Sequence, residues 1–265
     1  MPMNFAQAMI IAVVEGLTEY LPVSSTGHII LTSWLMGINQ DEFVKDYTVM
    51  VQFGAILAVA VLFWRRLVLN VKIYPVVIAA FIPAAVVGLL VKKKIDLILG
   101  NVWIVGAALF VGGVVLVLTD RWLTQHKVRV YNPEKMPMKS AFKVGLFQCL
   151  AFIPGVSRSA ATIWGGLSEG LSLVSATEFS FFLALPTLTG ATFLKAIKVY
   201  PTISADQWGV LFWGNVVSFV VGILAMRLFV RWIEAYGLRY FGYYRIVVGA
   251  AVLLTLALGH NIEFL

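Results

Sequence analysis

The stretch EGLTEYLPVSSTGH, from Glu15 to His28, decides how the rest of the chain is interpreted. It places two carboxylates, a run of three hydroxyls and an imidazole between two apolar runs, Phe5–Val14 and Ile29–Met36. A charged side chain at the centre of a bilayer costs about 2.5–3.5 kcal/mol on insertion scales, so ionisable groups in such surroundings indicate function. A second polar stretch, PGVSRSAAT at Pro154–Thr162, interrupts an apolar run in the other half. We expect this first polar segment (15–28) and second polar segment (154–162) to meet inside the membrane and form one phosphate site.

The composition indicates an integral membrane protein. The chain has 265 residues, of which 60% are hydrophobic and 12% are charged, whereas soluble domains carry about 25% charged residues. The net charge of +7 requires no nucleic-acid partner, because basic residues of membrane proteins collect in cytoplasmic loops. Cys149 is the single cysteine, which excludes an internal disulfide. No basic region precedes the first apolar stretch, so we expect no removable signal peptide.

The apolar runs beside the polar segments are about half as long as a membrane span. Two short arms around a turn that contains Pro and Gly favour a re-entrant helical hairpin. Such broken backbone survives at membrane depth only where protein or a wet cavity covers it. In the second half the arms are Ala141–Ile153 and the run Ile163–Leu167. The alternative for the first hairpin is a single long, kinked span with a polar centre.

Three apolar runs follow each hairpin, which predicts an all-α polytopic membrane protein. Pro75 and Pro83 lie in the second of these runs and predict kinks there. The six runs are Tyr47–Trp64, Ile73–Val91, Val102–Leu118, Phe179–Leu194, Trp208–Met226 and the shorter Ile246–Leu258.

The second half repeats the plan of the first, so we interpret residues 1–265 as one membrane domain built by internal duplication. The halves are 1–120 and 140–265, and a polar, basic linker at 121–139 joins them. Because each half holds one hairpin and three spans, the odd number of spans turns the second half upside down. The expected architecture is therefore an inverted-topology repeat with a polar site at the midplane.

Individual residues support the duplication. A shift of 133 positions aligns Glu15 with Gln148 and places Ser25 opposite Arg158, and the neighbouring shift of 132 places Gly54 opposite Pro186.

The basic residues predict the orientation in the membrane. Most of them fall on one side of the predicted spans, including the linker and the loop charges Arg239 and Arg245, and that side is expected to be cytoplasmic. Lys92–Lys94 opposes this assignment. Both termini and the opening of the first hairpin then lie outside. Arg158 is the one basic residue that we place well inside an apolar run.

The first polar segment offers carboxylates and an anion site. Glu15 and Glu19 are four residues apart, so on a helix they share one face. They can hold a divalent cation together with a phosphate, or one of them can act as a base. The alternative is a solvated face or an ion pair with a basic residue elsewhere. Ser24, Ser25 and Thr26 are good N-cap residues, which predicts a returning helix whose free N–H groups favour an anion.

His28 lies three residues after Ser25, which places it near enough to exchange a proton with that hydroxyl or with a leaving group. A lone histidine is more often a hydrogen-bonded structural group, and that alternative stays open. We expect a catalytic role because carboxylates and hydroxyls surround it in the sequence.

The second polar segment follows the same logic. Pro154 and Gly155 break the arm, and the guanidinium of Arg158 offers phosphate a bidentate fork. Its alternative partner is a carboxylate of the first segment. The phosphate-binding hydroxyls predicted here belong to Ser157, Ser159 and Thr162, the first two of which can cap the following helix.

These residues resemble a known family. The glutamates running into LPVSSTGH, together with PGVSRSAAT, look like the undecaprenyl-diphosphate phosphatase family of the bacitracin-resistance type. The likeness extends over WRR at Trp64–Arg66, FQCLAFIPG and EFSFFLALP. It is loosest in the linker and the last span.

The resemblance implies hydrolysis of undecaprenyl diphosphate to the monophosphate, which recycles the lipid carrier for peptidoglycan synthesis. It also implies a site open to the outer face of the bacterial inner membrane and a divalent cation, Mg²⁺ or Ca²⁺. The expected partners are the prenyl diphosphate and the bilayer, with a homodimer left open and no nucleic acid. The implied working residues are the five already chosen: Glu15, Glu19, Ser25, His28 and Arg158.

Two functions fit such a site, and a third interpretation is a structural membrane protein with a buried polar network. In a phosphatase, Ser25 attacks the terminal phosphorus or positions a water that does, and His28 moves the proton. In a lipid-phosphate flippase, the same midplane site binds the anion and the two halves rock around it. A transporter needs Arg158 and the helix N-termini but does not need the pairing of Ser25 with His28.

Overall fold

A computed structural model describes residues 3–98, 100–123 and 132–260, with the backbone alone given for 92–97. Within these ranges the chain is helical and contains no β-strand. The helices are α1 Phe5–Thr18, α2 Ser25–Leu35, α3 Glu42–Met50, α4 Gln52–Leu62, α5 Trp64–Leu69, α6 Ile73–Ile98, α7 Val102–Leu123, α8 Met138–Gln148, α9 Arg158–Ser168, α10 Leu173–Val199, α11 Ala205–Tyr236 and α12 Arg239–Ala257.

Six helical stretches in the described ranges are long and apolar enough to cross a membrane, which confirms the predicted multi-pass class. The first, Glu42–Leu62, consists of α3 and α4, which meet at Val51. The last begins at Arg239, seven residues before the predicted start. The sequence placed this boundary too late because it treated Arg245 as a loop charge, whereas Arg245 is 1% exposed.

The prolines of α6 differ in their effect. Pro75 occupies the first turn, where its missing N–H removes no helical hydrogen bond, so it begins the helix rather than interrupting it. Pro83 lies inside the helix, as the sequence predicts.

Each polar segment spans the turn between two short helices. Asn4 and Gln7 form a capping box that begins α1, which carries Glu15 in its last turn. The chain then turns and returns as α2. In the second half, α8 continues into a 3₁₀ turn at Cys149–Phe152, and the chain returns as α9. Both polar turns therefore open onto the N-terminus of a returning helix.

Close backbone contacts hold these short helices against spans of the opposite half. A Cβ on Gly16 of α1 would lie 2.8 Å from the Ser218 carbonyl oxygen of α11. A Cβ on Gly145 of α8 would overlap the Ala80 carbonyl oxygen of α6. Each polar segment is therefore positioned by helices from both halves of the chain.

The long helices α7 and α12 pack along their length through glycines. A Cβ on Gly113 would lie 2.7 Å from the Gly242 carbonyl oxygen, and one on Gly249 would lie 2.8 Å from the Gly106 carbonyl oxygen. The earlier glycine of α7 contacts the later glycine of α12, and the later glycine of α7 contacts the earlier one of α12. The two helices therefore run antiparallel.

The predicted linker at 121–139 is only partly described, because residues 124–131 lie outside the described ranges. Its first three residues continue α7 rather than forming a loop. Near its end, Glu134 accepts hydrogen bonds from Arg66 at 3.1 Å and from Asn70 at 2.5 Å. Arg66 also donates to Glu178 of α10 at 2.5 Å, so this network joins the end of the linker to both halves.

We expect Gly113→Ala to lower the thermal midpoint of the detergent-purified protein by about 3–8 °C, since overpacking a tight contact costs about 1–3 kcal/mol. The matched control is Gly190→Ala in α10, where nothing lies within 4 Å of an added Cβ. That variant should be as stable as the parent or more so. Equal midpoints for the two variants would contradict the close α7–α12 contact.

Candidate functional site

Both polar segments line one cavity of about 110 Å³. The sequence predicts this meeting of the two segments, and the structure brings them together. The lining residues are Glu19, Ser24, Ser25 and Thr26 from the first segment, Val156, Ser157 and Arg158 from the second, and Gln52, Ala151 and Leu188 from elsewhere.

The Glu19 carboxylate joins the two segments. Its Oε2 accepts a hydrogen bond from the Ser25 hydroxyl at 2.6 Å, and its Oε1 accepts one from Arg158 Nη2 at 2.9 Å. The side chains of Glu19 and Arg158 are only 6% and 11% exposed. A carboxylate in contact with a serine hydroxyl can accept its proton, and the neighbouring guanidinium supplies positive charge for a phosphate.

A layer of side chains behind Arg158 fixes its orientation. Arg158 Nη1 donates to the Ser180 carbonyl at 2.9 Å, and the guanidinium carbon lies 5.8 Å from the centre of the Tyr20 ring. Thr162 donates to the Ser180 hydroxyl at 2.7 Å. Thr162 therefore lies behind Arg158 and not in the cavity lining, where the sequence placed it. Arg158 Nε has no hydrogen-bond partner in the described part of the chain.

The serines of the two segments have different positions. Ser24 caps α2, with its side chain accepting from Gly27 N–H at 3.4 Å, and Ser157 caps α9 by accepting from Ala160 N–H at 3.2 Å. Ser159 is fully buried and donates to the Tyr20 carbonyl at 2.8 Å. Ser159 thus links the two segments away from the cavity.

Backbone strain marks the beginning of α2. Ser24 has a φ of +73°, and among the described residues no other non-glycine has a positive φ. Such conformations cost about 1–3 kcal/mol and persist where the surroundings enforce them. Here the strained residue immediately precedes Ser25 and directs the N-terminus of α2 toward the cavity.

His28 forms its hydrogen bonds with groups other than the Ser25 hydroxyl. Its Nδ1 lies 2.8 Å from the Ser24 carbonyl oxygen, so Nδ1 carries the proton, and its Nε2 accepts from the Tyr244 hydroxyl at 2.6 Å. The two rings stack with centres 5.5 Å apart. The spacing in the sequence predicts that His28 lies beside Ser25. In the structure, the Ser25 hydroxyl bonds to Glu19, and the His28 ring bonds to Tyr244 of α12.

Glu15 lies next to the cavity without lining it. It is fully buried, and no N–H or hydroxyl donor in the described ranges bonds to either carboxylate oxygen. It interacts electrostatically with Glu19 and Arg158. Among the described residues, no group of three or more His, Cys, Asp or Glu side chains is placed to hold a metal ion. Magnesium sites often use one or two carboxylates together with substrate phosphates, so this pair fits a hard divalent cation.

The sequence interpretation missed two polar residues of this region. Gln52 lines the cavity from the first turn of α4, and its amide has no hydrogen-bond partner in the described residues. The sequence feature that could have identified Gln52 is its position as a polar residue within the apolar run Tyr47–Trp64. Arg245 was assigned to a loop, but it is buried within α12. The statement that only Arg158 lies well inside an apolar run is therefore wrong.

Comparison with known proteins agrees with the motif resemblance. The family model described as bacitracin resistance protein BacA matches residues 8–251. The chain belongs to the BacA family.

Its relatives in this family match almost end to end. A protein named undecaprenyl-diphosphatase from Bdellovibrio bacteriovorus is 43% identical over 98% of this chain and 99% of its own length. One of the same name from Flavobacterium psychrophilum is 46% identical over 95% of this chain and 96% of its own. Another, from Aquifex aeolicus, is 40% identical over 92% and 95%.

We expect Tyr244→Phe to lower the stability of the purified protein by about 1 kcal/mol, because the variant leaves His28 Nε2 without its donor. The measurement is the thermal midpoint in detergent. Tyr243→Phe is the matched control, since Tyr243 is the neighbouring, similarly exposed tyrosine and its hydroxyl makes no hydrogen bond in the described residues. A Tyr244→Phe midpoint equal to that of the control would argue against the His28–Tyr244 bond.

Proposed function

We propose that this chain is an integral membrane phosphatase that hydrolyses undecaprenyl diphosphate to undecaprenyl phosphate and phosphate. That activity recycles the lipid carrier for peptidoglycan synthesis and confers resistance to bacitracin. The observation that carries the proposal is the Ser25–Glu19–Arg158 array, in which a hydroxyl, a proton acceptor and a cation share one buried cavity. Membership of the BacA family and the names of the relatives support the same reaction.

The proposed first step is attack by Ser25 Oγ on the terminal phosphorus. The hydroxyl proton passes to Glu19 Oε2, which already accepts it as a hydrogen bond at 2.6 Å. The bond between that phosphorus and the bridging oxygen breaks, and undecaprenyl phosphate leaves. Water then hydrolyses the phosphoserine and releases phosphate. In the alternative route, Ser25 orients the water that attacks and Glu19 accepts its proton.

The positive groups of the cavity stabilise charge on the transferred phosphoryl group. Arg158 keeps its Nε free in the described residues. The N-termini of α2 and α9 open onto the same cavity, where Ser24, Thr26 and Ser157 add backbone and hydroxyl donors.

His28 receives a different role from the one that spacing suggested. Since its Nδ1–H is bonded to the Ser24 carbonyl and its Nε2 to Tyr244, we assign it to positioning the first turn of α2. The proton from Ser25 goes to Glu19 instead.

A divalent cation completes the proposed site. Glu15 and Glu19 would hold it, because the two free oxygens of Glu15 are buried beside Glu19. When bound, Mg²⁺ or Ca²⁺ would neutralise negative charge on the diphosphate and so allow it to lie beside two carboxylates.

We propose that the architecture is an inverted repeat of two halves, 1–120 and 140–265, each beginning with a re-entrant hairpin. The matching helices α7 and α12 run antiparallel, as opposite topologies require. The contact of α1 with α11 corresponds to that of α8 with α6.

Two ion pairs between the halves support the same symmetry. Arg66 binds Glu178, and Lys195 binds Asp46, each at 2.5 Å. Asp46 and Glu178 are 132 positions apart, which is the shift that aligns Gly54 with Pro186.

The proposed location is the bacterial inner membrane, with the cavity open to the outer face. Arg245 is buried and no longer counts among the charges of the side predicted to be cytoplasmic. That side still carries exposed arginines at 65, 227, 231 and 239. Such an excess of positive charge is typical of the cytoplasmic side.

A flippase is the second candidate, and only the repeat architecture favours it. The names of the relatives favour the phosphatase. The Ser25–Glu19 hydrogen bond also favours it, since anion transport requires no activated hydroxyl.

Replacing the nucleophile tests the proposal. We expect Ser25→Ala to reduce phosphate release from undecaprenyl diphosphate at least about 1,000-fold, with lipid binding retained. The assay uses detergent-purified protein with and without a chelator. Ser33→Ala is the control, because Ser33 lies on the same helix with a buried hydroxyl that makes no hydrogen bond in the described residues. Full activity of Ser25→Ala would refute the assignment.

A quench experiment separates the two routes. With substrate labelled at the terminal phosphate, covalent label on Ser25 during turnover supports the phosphoserine. Its consistent absence favours direct attack by water.

Gln52 should contribute to substrate binding. We expect Gln52→Leu to raise KM about 10-fold with a smaller change in kcat, because a hydrogen bond to a charged group contributes about 1.5 kcal/mol. Gln52→Glu should raise KM further by placing another negative charge in the cavity. Phe53→Leu, on the adjacent exposed position of α4, is the control. An unchanged KM in both Gln52 variants would exclude a contact with substrate.

A further inference from the structure

Arg245 is a buried cation that the proposed reaction does not use. It lies in α12 and is 1% exposed, and its guanidinium donates to four backbone carbonyls. Nη1 lies 3.1 Å from the Pro22 oxygen, and Nη2 lies 3.0 Å from the Gly155 and Ala108 oxygens. Nε donates to the Leu109 oxygen at 3.4 Å. One side chain therefore contacts the first polar segment, the second polar segment and α7.

No carboxylate balances this charge. In the part of the chain that the structure describes, Arg245 takes part in no salt bridge. Burying a guanidinium without a counterion is expensive, so the carbonyl oxygens must provide the compensation. An arginine fork suits this purpose because its donors diverge in one plane and reach several acceptors at once.

The packing of α12 on α7 does not itself require an arginine. Gly113 contacts Gly242, and Gly106 contacts Gly249. If α7 and α12 are exchanged so that these two contacts superimpose, Gly106 matches Gly242, Gly113 matches Gly249, and Leu109 becomes the counterpart of Arg245. A leucine fills that counterpart position in α7, where it is fully buried. The arginine in α12 is therefore explained by the carbonyl groups that its guanidinium binds in the two polar segments.

The two contacted carbonyls occupy equivalent places in the site. Pro22 and Gly155 are 133 positions apart, which is also the separation of Ser25 and Arg158. Each carbonyl lies three residues before a working side chain. Gly155, with a φ of +91°, also lies against α7, where an added Cβ would be 2.6 Å from the Val105 carbonyl oxygen. The fork thus holds the two turns at matching points.

We propose that Arg245 is a positioning residue for phosphoanhydride cleavage, which acts by setting the separation of the two polar segments and thereby the approach of Ser25 to Arg158. The inference rests on the proposed phosphatase activity. It assigns the effect to the geometry of the fork. A lysine would keep the charge, but its three N–H donors on one nitrogen could not reproduce the four carbonyl contacts of the guanidinium. It therefore separates geometry from charge.

The first measurement is kinetic. Because a misplacement of about 1 Å can cost on the order of 100-fold in rate, we expect Arg245→Lys to lower kcat about 30- to 100-fold, with KM changed less than about threefold. Arg239→Lys, at the exposed start of the same helix, is the matched control and should keep its activity. A wild-type kcat in Arg245→Lys would overturn the proposal.

The second measurement reports the separation directly and needs no activity. Cysteines replace Thr26 and Val156, which line the cavity from opposite segments, in a Cys149→Ala background. Bifunctional thiol reagents of increasing length are then compared with Arg or Lys at 245. We expect the preferred reagent length to change in Arg245→Lys. An unchanged length together with a lost kcat would show that Arg245 acts by charge and would overturn the proposal, as would a changed length with normal kcat.

A second variant covers the case in which Arg245→Lys does not fold. A Cβ on Gly112 would overlap Arg245 Nη2, so Gly112→Ala displaces the fork while the arginine stays in place. The same loss of kcat and change of reagent length are expected, and Gly190→Ala is the control. If wild-type protein releases no phosphate, the proposed function fails, while the reagent lengths still show whether the fork sets the separation.

Discussion

The site depends on one buried carboxylate. Glu19 accepts the Ser25 hydroxyl with one oxygen and the Arg158 guanidinium with the other, and so joins two segments that lie 139 positions apart in the chain. Leaving either charge without the other inside the protein would be strongly destabilising. The proposed nucleophile, proton acceptor and phosphate-binding cation therefore come together only when both halves are folded. In the proposed reaction, an incoming diphosphate competes with Glu19 for Arg158, which frees the carboxylate to take the serine proton.

A second constraint explains why so many polar groups surround this carboxylate. Both turns leave backbone carbonyls without helical partners, and buried carbonyls need other hydrogen-bond donors. The turns satisfy one another instead. Ser157 donates to the Leu21 carbonyl at 3.4 Å and Ser159 to the Tyr20 carbonyl at 2.8 Å, and Arg245 bonds to a carbonyl of each turn. Some of the polarity that the sequence assigns to phosphate binding thus serves to hold the broken backbone.

The sequence predicts the parts of this structure that depend on length and hydropathy. Spanning helices and interrupted apolar runs follow from bilayer thickness, and they locate both polar segments. It could not predict which side chain faces which. His28 turns to Tyr244, a partner 216 positions away, and Thr162 turns to Ser180, because helix packing and not spacing decides these contacts. The sequence wrongly predicts a loop position for Arg245 for a related reason. A basic residue near a helix end resembles a loop residue, and the sequence does not show the backbone carbonyls that accept its hydrogen bonds.

The proposed symmetry of the fold is not matched by symmetry of the chemistry, and this difference bears on function. Where the first half carries Ser25 and Glu15, the equivalent positions of the second half carry Arg158 and Gln148. The first half also carries Glu19, so two copies of its groups would bring four carboxylates to one anion. Two copies of the second set would leave no nucleophile. A carrier that rocks between equivalent states can use matched half-sites, whereas hydrolysis needs a nucleophile and proton acceptor on one side of the phosphorus and positive charge on the other. In the proposed repeat, the two halves share a backbone plan while the proposed reactive groups divide between them, and that division is what a phosphatase requires.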